Sequence, residues 1–392
     1  GGIKSMKISR RDFLKGTATS LFLAGFNFPV LASTTRKKNL IVIMLRGGMD
    51  GLCAVPVIGD KKFEKIRKGI LIDDPIKLNS DFGLHPKLKG FNECWNENTG
   101  AVVHATSIPY TARSHFEGQN LMESGGKVPY KDKTGWLGRG MNLANLKEDG
   151  LALSLPMPLL LRGVPKNNNF YPTDGKLPRE DTLELLRSVY ADSSEEELLD
   201  MMNFIKKRKS EQMMGGGQSY DQRNNKNLAM KAGQVLSDPN GPRVAVFEVN
   251  GFDTHAAQGG IDGTHTKCLV EMDTIIQNLK ISQKTYENSI ILTVTEFGRT
   301  IKKNGGNGTE HGYGTAVFLA GGLVKKSQVH TDWPGLKRKE LFDGRDLNAT
   351  IDARSIYASA MSTVFDLDFK RVEKEVFFGD KLQNLSDKLF KA

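Results

Sequence analysis

Five residues with metal-ligating side chains stand in short polar loops at the ends of apolar runs. Asp50 lies in Arg46-Gly47-Gly48-Met49-Asp50-Gly51, and Asp253 and His255 in Gly251-Phe252-Asp253-Thr254-His255. Glu296 lies in Thr295-Glu296-Phe297-Gly298-Arg299-Thr300, and His311 in Glu310-His311-Gly312-Tyr313-Gly314. Carboxylates and imidazoles together suit a divalent cation. Zinc fits a mixed nitrogen and oxygen set best, with calcium or magnesium as oxygen-favouring alternatives. Each residue alone has a plainer explanation: Asp-Gly is a common turn, and a lone histidine is usually a cap or core residue. Their shared placement beside apolar runs is the signal.

Three further residues could act on a substrate. Ser114 and His115 begin a helical pattern, and Ser114 with Glu117 spells a Ser-x-x-Glu capping box. A helix start also favours anions. A serine there, helped by a cation, could attack a phosphate or sulfate ester. Arg299 shares a loop with Glu296 and could pair with an anionic substrate. By contrast, His85 precedes a proline and His104 lies inside an apolar run, so both read as structural. His265 and His330 have no evident partner, and Trp136 and Trp333 are expected to pack at the rim.

The elements that must position these residues follow from the apolar runs. Residues 39–45 are continuously apolar after Asn39, and 101–105, 243–249, 289–294 and 315–320 are similar. Such runs are expected of strands buried on both faces. Helical patterns at 114–124 and 267–280 lie between them. The alternation predicts an α/β fold: a central, mostly parallel sheet with helices on both faces. Ligands then gather at the carboxyl ends of the strands. Residues 151–231, with their prolines, the Asn run at 167–169 and Gly215-Gly216-Gly217, are expected to form an inserted cap. The glycine-rich stretch 303–309 is expected to be a mobile loop.

Composition narrows the function. The formal charge is +10, but Lys4, Lys7, Arg10, Arg11 and Lys15 contribute to it in the first 32 residues. The remaining basic residues form no stripe with interleaved aromatics, so a nucleic-acid partner is not expected. Cys53, Cys94 and Cys268 are too dispersed for a disulfide framework, haem attachment or an iron–sulfur cluster. Ser9-Arg10-Arg11-Asp12-Phe13-Leu14-Lys15 matches a twin-arginine export signal. The moderately apolar stretch from Thr17 to Leu31 that follows is too short to span a bilayer. Residues 1–32 are therefore expected to be a signal peptide. The mature chain, without a stable membrane span, is expected in the periplasm or cell envelope after passage through the twin-arginine translocase.

The ordered motifs Arg46–Gly51, Asp81–Pro86, Arg113–Gln119, Gly135–Arg139, Phe252–His255, Glu296–Thr300, Glu310–Gly314 and Gly344–Leu347 resemble the exported bacterial family catalogued as domain of unknown function 1501. That family is grouped with the alkaline phosphatase and sulfatase superfamily. The resemblance implies a metal-dependent hydrolase of phosphate or sulfate esters, acting on a small anionic ester. It implies metal ligation by Asp50, Asp253, His255 and His311 and a nucleophilic Ser114. One residue separates Asp253 from His255, where phosphatases usually have three. Glu296-Phe297 stands where phosphatases have Asp-His, and phenylalanine cannot ligate a cation. Glu296 is then a partner of Asp50 at one cation, with Asp253, His255 and His311 at another. A one-metal site, a rearranged site using His115, and a non-catalytic binding or assembly protein are the alternatives.

Overall fold

The computed structural model describes residues 37–146, 149–154, 156–164, 167–169 and 224–391. The signal segment expected over 1–32 and most of the cap expected over 151–231 lie outside them. The strands are β1 (Asn39–Leu45), β2 (Ile76–Lys77), β3 (Gly83–Leu84), β4 (Gly100–Ser107), β5 (Gly150–Ala152), β6 (Asn168–Asn169), β7 (Val244–Val249), β8 (Ser289–Val294), β9 (Thr315–Ala320), β10 (Val329–His330) and β11 (Ile351–Asp352). The helices used below are α1 (Gly51–Ala54), α2 (Lys61–Ile66), α3 (Lys89–Asn96), α4 (His115–Ser124), α5 (Trp136–Leu143), α6 (Asn225–Leu236), α7 (Thr264–Ser282) and α8 (Ala353–Phe365).

The main sheet runs β10-β4-β9-β8-β1-β7-β5-β6, with β11 also paired to β4, while β2 and β3 form a separate hairpin. All its pairings are parallel except those of β9, which runs antiparallel to both β4 and β8. The expected mostly parallel α/β sheet is present. The reversal of β9 was not foreseen, and it matters: the loop before β9 reaches the edge where the parallel strands end.

β1 occupies the middle because both its faces are apolar. Leu40, Val42 and Met44 pack on one side with Trp136, Met141, Ile356 and Tyr357 from α5 and α8. Ile41, Ile43 and Leu45 pack on the other with Phe91, Leu228, Leu269 and Ile276 from α3, α6 and α7. Each of these β1 side chains is 0% exposed, a burial worth about 1.5–3 kcal/mol apiece. Trp136 is core rather than rim: it stacks 5.1 Å from Tyr357 and its Nε1–H donates to the Met122 carbonyl at 3.0 Å. Trp333 meets Phe82 and His104 edge-on. Among the described residues no helix is long and apolar enough to cross a membrane.

The four histidines outside the polar loops are buried and kept neutral. His104 Nε2–H donates to the Val55 carbonyl at 3.1 Å while Nδ1 accepts from Ala105 N–H at 2.8 Å, at a bulge in β4. His265 Nε2 accepts the Asp50 backbone N–H at 2.9 Å, the partner the sequence did not reveal. Burial pulls His85, His104 and His330 down to about 4 and His265 to about 3. An unfolded histidine titrates near 6.5, so on acidification the unfolded chain takes up protons first. The stability these four contribute is therefore full above about pH 6.5 and is lost as pH drops towards 4. We expect the His104→Asn variant to lose about 2–3 kcal/mol less than wild type between pH 7 and 4.5. Chemical denaturation at the two pH values checks this, and equal losses would contradict it.

Candidate metal centre

At the carboxyl edge of the sheet, the loops after β7 and β8, the loop before β9 and the start of α4 meet. Gly47, after β1, permits a close approach of its own loop to the one after β7. Its φ is +116°, and a Cβ there would lie 2.3 Å from the Asp253 backbone nitrogen.

Asp253 is the centre of the cluster. Its Oδ1 lies 2.9 Å from His255 Nε2 and 3.1 Å from His311 Nε2, and its Oδ2 lies 3.2 Å from His115 Nε2. Behind each ring stands an acceptor. His115 Nδ1 is 2.9 Å from Glu296 Oε1, His311 Nδ1 is 2.8 Å from the Arg113 carbonyl, and His255 Nδ1 is 2.9 Å from Glu310 Oε2. A carbonyl or an ionised carboxylate only accepts, so each Nδ1 carries a hydrogen, and each Nε2, which holds a lone pair whenever the ring is neutral, points inward to Asp253. Among the described residues His115 Nε2 is buried without a hydrogen-bond partner. The Nε2 atoms of His255 and His311 face each other at 2.9 Å. Two such lone pairs repel unless a proton or a cation lies at them.

His115, Asp253 and His311 offer ligand atoms that all lie within 4.8 Å of one another, with His255 beside them. Two or three imidazoles and a carboxylate are a zinc-type donor set. Asp253 and His255 are 43% and 41% exposed, which leaves the centre open to solvent and to a substrate. The residues fit a divalent cation.

Electrostatics agree with the geometry. Burial pushes the Asp253 carboxyl up, but the Arg299 hydrogen bond and the neighbouring positive charges outweigh it and hold it at about 2. Glu296 also stays below its ordinary value despite burial, through hydrogen bonds from His115, Gln119 and Gly47. The Glu296 bond raises His115, whereas burial lowers His311.

Several sequence expectations are corrected. Asp50 does not join the cluster. It caps α1 by accepting from Leu52 N–H and Cys53 N–H, and its Oδ2 takes Arg67 Nη2 at 2.5 Å and Gln258 Nε2 at 2.6 Å. No oxygen is left for a cation, so Asp50 and Glu296 share none. Glu296, fully buried, orients His115 instead of facing the centre. Phe297 packs 4.9 Å from the His115 ring and 5.0 Å from the His311 ring, filling space beside them. Arg299 is 0% exposed and occupied by Asp253, the Gly47 carbonyl and Thr309, so it is not free for a substrate. It is a brace for Asp253. Ser114 precedes α4 but makes no side-chain capping bond. Glu117 takes the Tyr110 hydroxyl at 2.7 Å instead, so the capping box does not form. Among the described residues no hydrogen bond joins the Ser114 hydroxyl to the cluster. The stretch 303–309 is tied down rather than loose: Asn304 donates to the His255 carbonyl at 2.7 Å and accepts from Gly306 and Gly308.

Sequence reasoning missed Glu310, Gln119 and the Arg113 carbonyl. Glu310 stands next to His311 and was the one signal available. A backbone acceptor has none.

A family model described as a protein of unknown function (DUF1501) matches residues 98–375. No curated protein matches the sequence. Solved structures similar to the chain include a protein in the alkaline phosphatase superfamily from Vibrio parahaemolyticus, at 10% identity and a TM-score of 0.41, covering 96% of this chain and 80% of that one. The PsFucS1 sulfatase from Pseudoalteromonas sp. aligns at 13% identity and a TM-score of 0.41, covering 86% and 70%. The periplasmic domain of EcEptC from Escherichia coli in complex with Zn aligns at 10% identity and a TM-score of 0.37, covering 73% of each chain. Likenesses of this degree assign no activity.

The geometry separates ligand from brace. We expect Asp253→Ala and His311→Ala to lower zinc affinity by roughly 10²-fold or more, and Glu296→Gln by about 10–100-fold. Asp50→Ala should leave affinity near wild type while destabilising the fold by about 3–5 kcal/mol, because Arg67 loses its buried partner. Zinc competition titration and denaturant unfolding check both. Loss of zinc binding in a folded Asp50→Ala protein would contradict the assignment.

Proposed function

The chain belongs to the DUF1501 family, and we propose that it is a divalent-metal-dependent hydrolase of phosphate or sulfate esters. The observation that carries the reading is the convergence of inward-facing Nε2 atoms on Asp253 in a centre open to solvent. His115, Asp253 and His311 would hold the cation, with His255 as a further ligand. When bound, the cation would polarise the ester and offset the charge that develops on its oxygens.

The chain's own residues supply the rest. Glu296, Glu310 and the Arg113 carbonyl keep the three rings aimed, and Arg299 holds the Asp253 carboxylate ionised and in place. Ser114, directly before His115 at the start of α4, is the proposed nucleophile. Its backbone N–H donates to the Tyr110 hydroxyl at 3.0 Å, and that hydroxyl donates to Glu117 Oε2 at 2.7 Å. Ser114 Oγ would bond to the phosphorus or sulfur and expel the alcohol, its own proton passing by way of Tyr110 to Glu117 and from there to the departing oxygen. Water would then attack the serine ester, releasing phosphate or sulfate and restoring the Ser114 hydroxyl.

A second reading is a binding protein that keeps the cation without turnover. Phe297 beside the rings and the fully occupied Arg299 favour it, because among the described residues the centre has no free cationic side chain for an anionic ester. We also propose, from Arg10 and Arg11, that the chain is exported by the twin-arginine route and works in the periplasm.

Zinc-loaded protein should hydrolyse 4-nitrophenyl phosphate or 4-nitrophenyl sulfate, lose activity to a chelator and regain it with zinc. Ser114→Ala should lower kcat/KM by roughly 10³-fold or more. Bound zinc with no turnover of either ester would favour the binding reading, and full activity in Ser114→Ala would remove the serine from the mechanism. For export, replacing Arg10 and Arg11 together by lysine should retain the chain in the cytoplasm. Undiminished recovery from the periplasm would contradict the signal.

A further inference from the structure

We propose that Asp346, acting through Arg113, is a positioning residue that fixes the tautomer of His311. The consequence for cation binding rests on the metal reading above, whereas the tautomer does not. Asp346 belongs to Gly344-Arg345-Asp346-Leu347, a motif with no part in the centre itself. Its carboxylate is 0% exposed. Oδ2 accepts from Arg113 Nε at 3.2 Å and Nη2 at 2.8 Å, and Oδ1 accepts from Arg345 Nε at 2.8 Å. Arg345 Nη2 also donates to the His311 carbonyl at 2.5 Å. One buried carboxylate thus holds two guanidinium groups, and both arginines contact His311 through backbone or side chain.

Arg113 has φ +62°, a left-handed conformation that non-glycine residues seldom hold unless their surroundings enforce it. The enforcement is visible. Its guanidinium is anchored on Asp346, lies 2.8 Å from Asp343 and sits 5.7 Å from the Phe342 ring centroid. Held this way, the Arg113 carbonyl meets His311 Nδ1 at 2.8 Å. Released, the backbone is free to relax to negative φ and the carbonyl turns away. His311 then has no acceptor behind it, and its hydrogen can move to Nε2. That nitrogen faces Asp253 and His255, so the lone pair needed for a cation is lost. Arg113 also directly precedes Ser114 and His115, so the same anchor sets where α4 begins.

The test uses the full chain with ¹⁵N-labelled histidine, the His311 signals being assigned by their loss in His311→Gln. The metal-free wild type should show His311 with its hydrogen on Nδ1. Asp346→Asn and Arg113→Lys, each checked for folding by thermal melting, should shift His311 towards the Nε2–H form. They should also weaken zinc binding by about 10–100-fold in a chelator competition. Arg113→Lys keeps the charge but loses the two-pronged contact. Wild-type His311 found as Nε2–H would overturn the proposal whatever the variants do. Folded variants with wild-type tautomer and zinc affinity would overturn it too. A wild type that binds no zinc, with the tautomer shift intact, would sink the metal reading and leave the Asp346 role standing.

Discussion

Which nitrogen of each imidazole is free is decided by a carbonyl and two carboxylates that stand behind the rings. Glu296, Glu310 and the Arg113 backbone each take the hydrogen on Nδ1, and the opposite nitrogen is turned towards Asp253. Without that constraint three flexible rings near a carboxylate would be an ordinary polar surface. With it, they form a centre that has the character of a ligand set before any cation arrives. Much of the surrounding structure serves those acceptors. Gly47 N–H, Gln119 and Thr295 donate to Glu296, Asn304 bonds Glu310, and Asp346 with Arg113 sets the carbonyl.

A second layer of polar contacts runs beneath the centre. Arg67 pairs with Asp50, Asp50 accepts from Gln258, Gln258 accepts from Thr309, and Thr309 accepts from Arg299, which braces Asp253. Most of these groups are nearly or fully buried, so removing any one leaves a neighbour unsatisfied in a low-dielectric interior. The chain ties the first strand's loop to the centre although no residue of that loop is a ligand. It gives Asp50 a strict structural role that differs from the role suggested by its position.

The fold was largely legible because it rests on apolar runs. Each expected strand exists at or within two residues of its expected bounds, since a run buried on both faces has few other places to go. The direction of β9 was not legible: an apolar run reads the same in parallel and antiparallel pairings. The centre was legible in part. Asp253, His255 and His311 could be chosen by residue type and loop position, and the structure brings them together. Asp50, Glu296 and Arg299 passed the same filter but face other partners, because type and loop position say nothing of where a side chain points. The Ser114–Glu117 pair shows the same limit, since Tyr110, seven residues before the glutamate, competes for it. Backbone acceptors such as the Arg113 carbonyl leave no trace in sequence at all.

The central claim is a cation held by imidazole nitrogens and Asp253 at the sheet edge. X-ray absorption at the zinc edge, on protein loaded with one equivalent of zinc, addresses it most directly. The account predicts a first shell of nitrogen and oxygen at about 2.0–2.1 Å with outer-shell scattering from at least two imidazoles. A first shell containing sulfur, or one with no imidazole scattering, would contradict it.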